Sequence, residues 1–215
     1  MQWSGQFSVL TNSKAVLYST KHAKKSYHPI PSTLGADDVL QIFQDHGHLA
    51  EIFWPPPHVI SDEKHTTPNK TEFCIECARS SEPGSSVSKS KTSIVSRKQE
   101  KEVVLEESMP LGIELGIVHR VISDLPPGSE ALDSLQQIST SSSLYLEVER
   151  SVTAPKPLSI IVQVTEGLVC KTKNLVWVLD EMGRNGKDLT AALQQLRVRD
   201  GGDSPEIELR KNKTE

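Results

Sequence analysis

The chain has 215 residues, of which 36% are hydrophobic and 5% aromatic, and 24 Lys and Arg stand against 28 Asp and Glu for a formal charge of −4. That length allows one domain of ordinary size with a core smaller than the length suggests. The slight negative charge excludes a general drive toward nucleic acid or acidic membranes.

The opening residues, "MQWSGQFSVLTNSKAVLYST", lack a basic region followed by an unbroken apolar run, and nowhere do about 18 apolar residues occur together. The chain therefore reads as soluble and intracellular, with no membrane contact. Three cysteines, an odd number without an export signal, predict reduced thiols rather than a disulfide framework.

In chain order, residues 6–20 read as a hairpin, with turn chemistry in "TNSK". Ala36 to Phe43 reads as a helix with Val39, Leu40 and Phe43 on one side and Asp37 and Asp38 at its positive end, stopping near Gly47. Residues 1–54 are thus a small hairpin-helix segment. From Pro55 to about residue 102 Ser, Lys, Glu, Thr and Pro dominate, which predicts a disordered linker. Its later part carries Lys89, Lys91, Arg97, Lys98 and Lys101, a scattered basic patch and the one place where direct DNA contact is conceivable.

Order is expected over 103–200. "EVVLEESMPLGIELGIVHRVI" is apolar with glycine breaks, and residues 129–138 read as a helix capped by Ser129. Three strands should follow, in "SLYLEVE", "LSIIVQV" and "LVWVLD". Asp180 ends the last, Gly183 and Gly186 form a turn, Asn185 caps the next helix with Asp188 reaching back, and Leu189, Ala192, Leu193 and Leu196 give that helix an apolar stripe. Residues 201–215 are a polar tail. The fold class predicted is layered α+β.

Among chemical motifs, Cys74 and Cys77 have the spacing of half a zinc knuckle, but a second pair is missing. His46 and His48 flank Gly47 without an accompanying serine or carboxylate motif. Phosphate-loop, Gly-x-Ser-x-Gly and His-Glu-x-x-His patterns are absent, so hydrolase and kinase-type chemistry is not expected.

"EALDSL" (Glu130 to Leu135) followed by "LDEMGRNGKDL" resembles, in order, the two motifs of the GHKL, or Bergerat, ATPase fold, most closely the topoisomerase VI B-like subunit of meiotic recombination. The resemblance implies a partial GHKL-like sandwich over 103–200, with Glu130 where the family places its catalytic base and Asp180 where it holds adenine. Ser134 stands where the magnesium asparagine belongs, Met182 where the first glycine belongs, and Gly183 and Gly186 lie near the remaining glycine positions. Such a site implies no ATPase activity and no cofactor. What it implies instead is an accessory nuclear, chromosomal subunit that supports double-strand break formation through contacts with a DNA-cleaving transesterase and other recombination proteins. The alternative is an intracellular adaptor with a purely structural α+β domain.

Overall fold

The computed structural model describes residues 17–78, 87–131, 144–166 and 169–202. Eight strands form one antiparallel sheet: β1 (Tyr18–His22), β2 (Ser26–Pro29), β3 (Val59–Thr67), β4 (Lys70–Ala78), β5 (Val87–Arg97), β6 (Glu102–Met109), β7 (Ile113–Ile122) and β8 (Tyr145–Pro155). From β3 to β7 each strand pairs with the next in sequence. β8 then adds to β7 and pairs along its other edge with both β1 and β2.

Among the described residues the α-helices that accompany the sheet are α1 (Ala36–Gln44), α2 (His46–Phe53), the single turn α3 (Lys156–Ser159), α4 (Lys171–Arg184) and α5 (Leu189–Gly202). One face of the sheet presents Phe73, Ile75, Ile94, Val103, Leu105, Leu115, Ile117, Val121, Leu146, Val148 and Val152, which alternate with outward residues as the pleat requires. Against that row pack Phe43, Leu49, Ile52, Phe53 and Trp54 of the α1–α2 region and Leu175, Val178, Leu179 and Met182 of α4. The spacing 175, 178, 179, 182 is one stripe of an α-helix. Ala192, Leu193 and Leu196 of α5 close the back of α4, the stripe expected for that helix.

Several expectations are corrected here. A GHKL-like sandwich needs strands at 158–164 and 175–180, whereas these residues form α3 with the segment after it and the middle of α4. The layout contains both helices and strands, but its frame is a single large antiparallel sheet. Asn185 does not start a helix. It ends α4, Gly186 takes the left-handed conformation behind it (φ 67°), and Lys187 N–H returns to the Met182 carbonyl at 2.8 Å, a Schellman closure. The cap of α5 is Asp188, whose carboxylate accepts from Ala191 N–H at 3.0 Å.

Where composition predicts a linker, β3, β4 and β5 form, with an unbroken ladder between β4 and β5 and a β3–β4 ladder that shifts register after Ser61 and after His65. Thr71, Phe73, Ile75, Thr92, Ile94 and Ser96 turn inward, so a few apolar side chains suffice. The outward lysines find partners instead, as in the 2.5 Å contact of Lys89 with Glu76. Helix α1 forms over Ala36–Gln44, and α2 then runs straight through Gly47. Strand β8 (Tyr145–Pro155) takes up "YLEVE" of the strand expected there, with Leu146 and Val148 fully buried. The hairpin predicted for 6–20 falls largely outside the described residues, and β1 at its end pairs with β8. Glu130 is exposed in non-helical chain, while Ser134 and the rest of the helix predicted for 129–138 lie outside the described residues.

The outer face carries a charge ladder in register. Arg97, Glu102, Arg120 and Glu147 lie opposite one another on β5, β6, β7 and β8, with contacts of 2.8 Å for Arg97 to Glu102, 2.5 Å for Arg120 to Glu102 and 2.8 Å for Arg120 to Glu147. Glu102 is buried under these guanidinium groups.

Two outcomes test this packing. Removing the guanidinium in Arg120→Ala leaves Glu102 and Glu147 short of a partner and is expected to cost about 2 kcal/mol in denaturant unfolding, less than a fully enclosed pair because Arg120 keeps contact with water. Gly183→Ala should destabilise despite better helix propensity, because its Cβ would lie 2.6 Å from Pro31 Cβ. That overlap costs about 1–3 kcal/mol and outweighs a helix gain of about 1 kcal/mol. A raised melting temperature would show that Pro31 moves aside freely.

Candidate functional site

Two kinds of polar group lie in the structure, those closed inside and those in surface clefts. The inner group begins with residues placed on the apolar row by strand parity. Thr92 of β5 faces Glu107 of β6, and His119 of β7 sits beyond Ile117 on the same face. Above them is the first turn of α4, where Lys171 and Thr172 point at the sheet.

Lys171 Nζ lies 3.0 Å from Glu107 Oε2, 3.2 Å from the Glu166 carbonyl and 5.4 Å from the centre of the Trp54 ring. Its approach to Glu107 is off the line of a hydrogen bond, so Oε2 has an ion-pair partner and no donor. Glu166 caps α4 in place of Cys170: its Oε2 accepts from Thr172 N–H at 2.7 Å and its Oε1 from Arg150 Nε at 2.6 Å. Burial raises the Glu166 pKa, but the hydroxyl and N–H of Thr172 and the Arg150 guanidinium outweigh it and hold the carboxyl below its usual range.

His119 is completely buried and stacks on Phe53, ring centres 5.5 Å apart. Its Nε2 is 3.1 Å from Thr172 Oγ1. Nδ1, on the other side of the ring, has no hydrogen-bond partner among the described residues. Burial pushes this imidazole down to about 4, with Glu166 opposing and Arg150 and His28 assisting. Thr92 Oγ1, Glu107 Oε2 and His119 Nδ1 are buried side-chain atoms with no hydrogen-bond partner among the described residues. Phe53, which stacks on His119, and Trp54, which lies under Lys171, are themselves an edge-to-face pair.

On the surface, a cleft of about 420 Å³ lies over the outward side of β3–β6 beside Lys64, Lys70, Glu72, Cys74 and Lys91. A second, of about 410 Å³, has Asp45, Glu63, His65, Thr71 and the buried His46 in its wall. There Ser96 Oγ donates to the Phe43 carbonyl, so His46 Nε2 donates to Ser96 at 2.7 Å and His46 Nδ1 accepts from Thr71 at 2.7 Å. This chain ties the α1–α2 corner to β4 and β5.

Ser134 lies outside the described residues, and the other residues singled out from sequence are spread over the connection after β7, α4 with its cap, and β4. Asp180 is half-buried in α4, burial holding its carboxyl above the usual range. Gly183 packs on Pro31, Gly186 closes the helix, and Glu130 is exposed in the connection after β7. Cys74 is partly buried on the outward side of β4, and Cys77 lies on the same strand. Among the described residues no group of three or more His, Cys, Asp or Glu could hold a metal ion, and no helix is long and apolar enough to cross a membrane. His119, Glu107 and Thr92 carried one missed signal: each is a polar residue at an apolar position of an alternating strand.

No family model matches this chain, and no curated protein matches it in sequence. Its coordinates are similar to norcoclaurine synthase from Thalictrum flavum (11% identity, TM-score 0.48, covering 80% of this chain and 98% of that one). They are also similar to the Zhui aromatase/cyclase from Streptomyces sp. R1128 (12%, 0.39, covering 84% and 96%). For the di-domain aromatase/cyclase StfQ of the steffimycin pathway the values are 11% and 0.39, with 90% of this chain spanning only 55% of that one. At such identities and scores they carry no function across, and it is the chain's own single antiparallel sheet that departs from a GHKL ATPase.

The neutral imidazole makes stability depend on pH. An unfolded histidine takes its proton near 6.5, folded His119 only near about 4, so between these values the unfolded chain binds more protons. Stability is complete above about pH 6.5 and falls toward pH 4, by about 3 kcal/mol for this group. His28 and His46, also lowered by burial, act in the same direction. Urea midpoints should fall across that window, and His119→Phe should flatten the slope by up to about 1.4 kcal/mol per pH unit. An unchanged slope would show that His119 titrates normally.

Proposed function

We propose that the protein binds a small uncharged molecule carrying hydroxyl or amide donors, held between the inner face of the sheet and the start of α4. The observation that carries this is a set of three buried polar atoms that lack a hydrogen bond: Thr92 Oγ1, His119 Nδ1 and Glu107 Oε2, the last of which keeps its ion pair with Lys171. Each unsatisfied group costs about 1–3 kcal/mol, and buried polar groups in native proteins are nearly always paired. A ligand with hydroxyl or amide groups supplies the partners these atoms lack.

Charge sets the class of ligand. Lys171 balances Glu107, Arg150 balances Glu166, and His119 is neutral, so an ion would enter a buried site with no countercharge. The rings of Phe53 and Trp54 suit a flat apolar body. The meiotic subunit implied by the GHKL resemblance is withdrawn with the fold. Its nuclear location and recombination partners lose their basis, and the adaptor alternative gains no specific support.

The test uses β-naphthol, which has one hydroxyl donor, and naphthalene, which has none. Fluorescence titration should give about tenfold tighter binding of β-naphthol, the value of one net hydrogen bond. In a Thr92→Val, His119→Phe double variant that ratio should approach one. Equal affinities in the natural protein, no binding, or a crystal structure showing only ordered water on the three atoms would refute the proposal.

A further inference from the structure

We infer that His46 is an acid-sensitive latch, holding the α1–α2 corner down on β4 and β5 while neutral and letting go when protonated. The latch stands apart from the binding function proposed above. Its use, the release by acid of a molecule covered by α2, rests on that function.

The hydrogen bonds around His46 have a fixed direction, set by an atom that can only accept. Ser96 Oγ donates to the Phe43 carbonyl, so its one hydrogen is spent and it accepts from His46 Nε2–H at 2.7 Å. A neutral ring that donates through Nε2 accepts through Nδ1, and Thr71 Oγ1 donates there at 2.7 Å. Thr71 then has no hydrogen left, so His65 Nδ1–H donates to it at 3.0 Å. His65 Nε2 lies 3.4 Å from Glu63, in the wall of the cleft of about 410 Å³.

A second proton on His46 breaks this order. Nδ1 becomes a donor, Thr71 Oγ1 must accept from two imidazoles, and the hydroxyl hydrogen of Thr71, a residue only 1% exposed, loses its acceptor. Lifting the corner lets water solvate the charged ring. The groups facing His46 are Asp45 ahead of α2, itself paired with His48, then Glu63 and His65 on β3, and the hydroxyls of Thr71 on β4 and Ser96 on β5. Burial, and after it the neighbouring His65, hold the His46 pKa below the usual histidine range, against Asp45 and Glu63.

The latched corner is also the cover of the inner face. It carries Phe43, Leu49, Ile52 and Phe53, and Phe53 stacks on His119. The closed form excludes a proton that an open form takes near 6.5. Each pH unit below about 6.5 therefore multiplies the open population about tenfold, until closed His46 is itself protonated.

Hydrogen exchange of the α1 and α2 amides, corrected for the intrinsic pH dependence of exchange, reads this opening directly. Protection should fall about tenfold or more per pH unit below about 6.5. His46→Gln keeps a donor for Ser96 and an acceptor for Thr71 but cannot titrate. It should take about one factor of ten per pH unit out of that slope, whatever His119, uncovered by the same opening, adds. Imidazole nitrogen chemical shifts of the natural protein at neutral pH give a check that needs no variant, and should show His46 protonated at Nε2 alone and His65 at Nδ1. An unchanged slope in His46→Gln, protection that ignores pH, or His46 carrying its proton on Nδ1 overturns the latch.

Titration with β-naphthol above and below pH 6.5 separates the latch from the binding function. Affinity that weakens in acid, and weakens less in His46→Gln, supports release through the latch. Equal affinity on both sides refutes release while the binding function stands. No binding at either pH removes the binding function and release together, and hydrogen exchange then decides the latch alone.

Discussion

A single antiparallel sheet has two faces, and one of them here is a continuous row of Val, Ile, Leu and Phe that only other apolar surface can cover. Covering that row is the constraint on which everything else in the molecule depends, because one sheet cannot bury its own face. Helix α4 supplies much of the cover, with α1 and α2 across from it and α5 behind. Burying a Leu, Val or Met side chain is worth about 1.5–3 kcal/mol, so the four-residue stripe of α4 is a major source of the stability of the domain. The tight approach of Gly183 to Pro31 follows from the same demand, since any bulk there would hold the helix off the residues before α1.

The outer face solves a different problem. It must stay wet and must not recruit further strands or partners by accident. Glu102 and Glu147, each nearly buried, are held between Arg97, Arg120 and Lys25, and the alternating signs across four adjacent strands reward only the observed register. A slip by one residue would bring every charge onto the apolar side. The ladder therefore contributes specificity of pairing more than net energy, since desolvation offsets much of the attraction.

Parts of this were legible in the sequence and others were not, for physical reasons. Helix α1 and the stripe of α5 announced themselves because their apolar residues stand at helical intervals among polar ones. In "LVWVL" every residue is apolar or aromatic, so neither period 2 nor period 3.6 can be seen within it. Only the extension to Thr172 on one side and Met182 on the other reveals the helix. The glycines then suggested a turn between strand and helix, whereas one is helical and the other is the cap. The supposed linker misled for the opposite reason: β4 and β5 bury Thr71, Thr92 and Ser96 where a richer sequence has Val or Ile, so their alternation is hidden from a hydrophobicity count. Once those strands were missed, the GHKL motifs had no competing frame. The inner polar residues became visible only through the parity of strands that were read too loosely to assign a face.

What makes those residues the functional centre is the contrast between two buried histidines. His46 has both ring nitrogens within 2.7 Å of hydroxyl groups and completes a chain that ends on a backbone carbonyl, so its burial is fully compensated and it needs nothing further. His119 is more deeply buried, yet only one nitrogen is paired, and Thr92 and Glu107 on the same strip share that deficit. A fold able to satisfy His46 so completely has no packing reason to leave Thr92 Oγ1 and His119 Nδ1 without a hydrogen bond on the inner face of its sheet. Apolar replacements of similar volume would relieve the penalty at each position. Their persistence in the core is accounted for when another molecule supplies the missing partners.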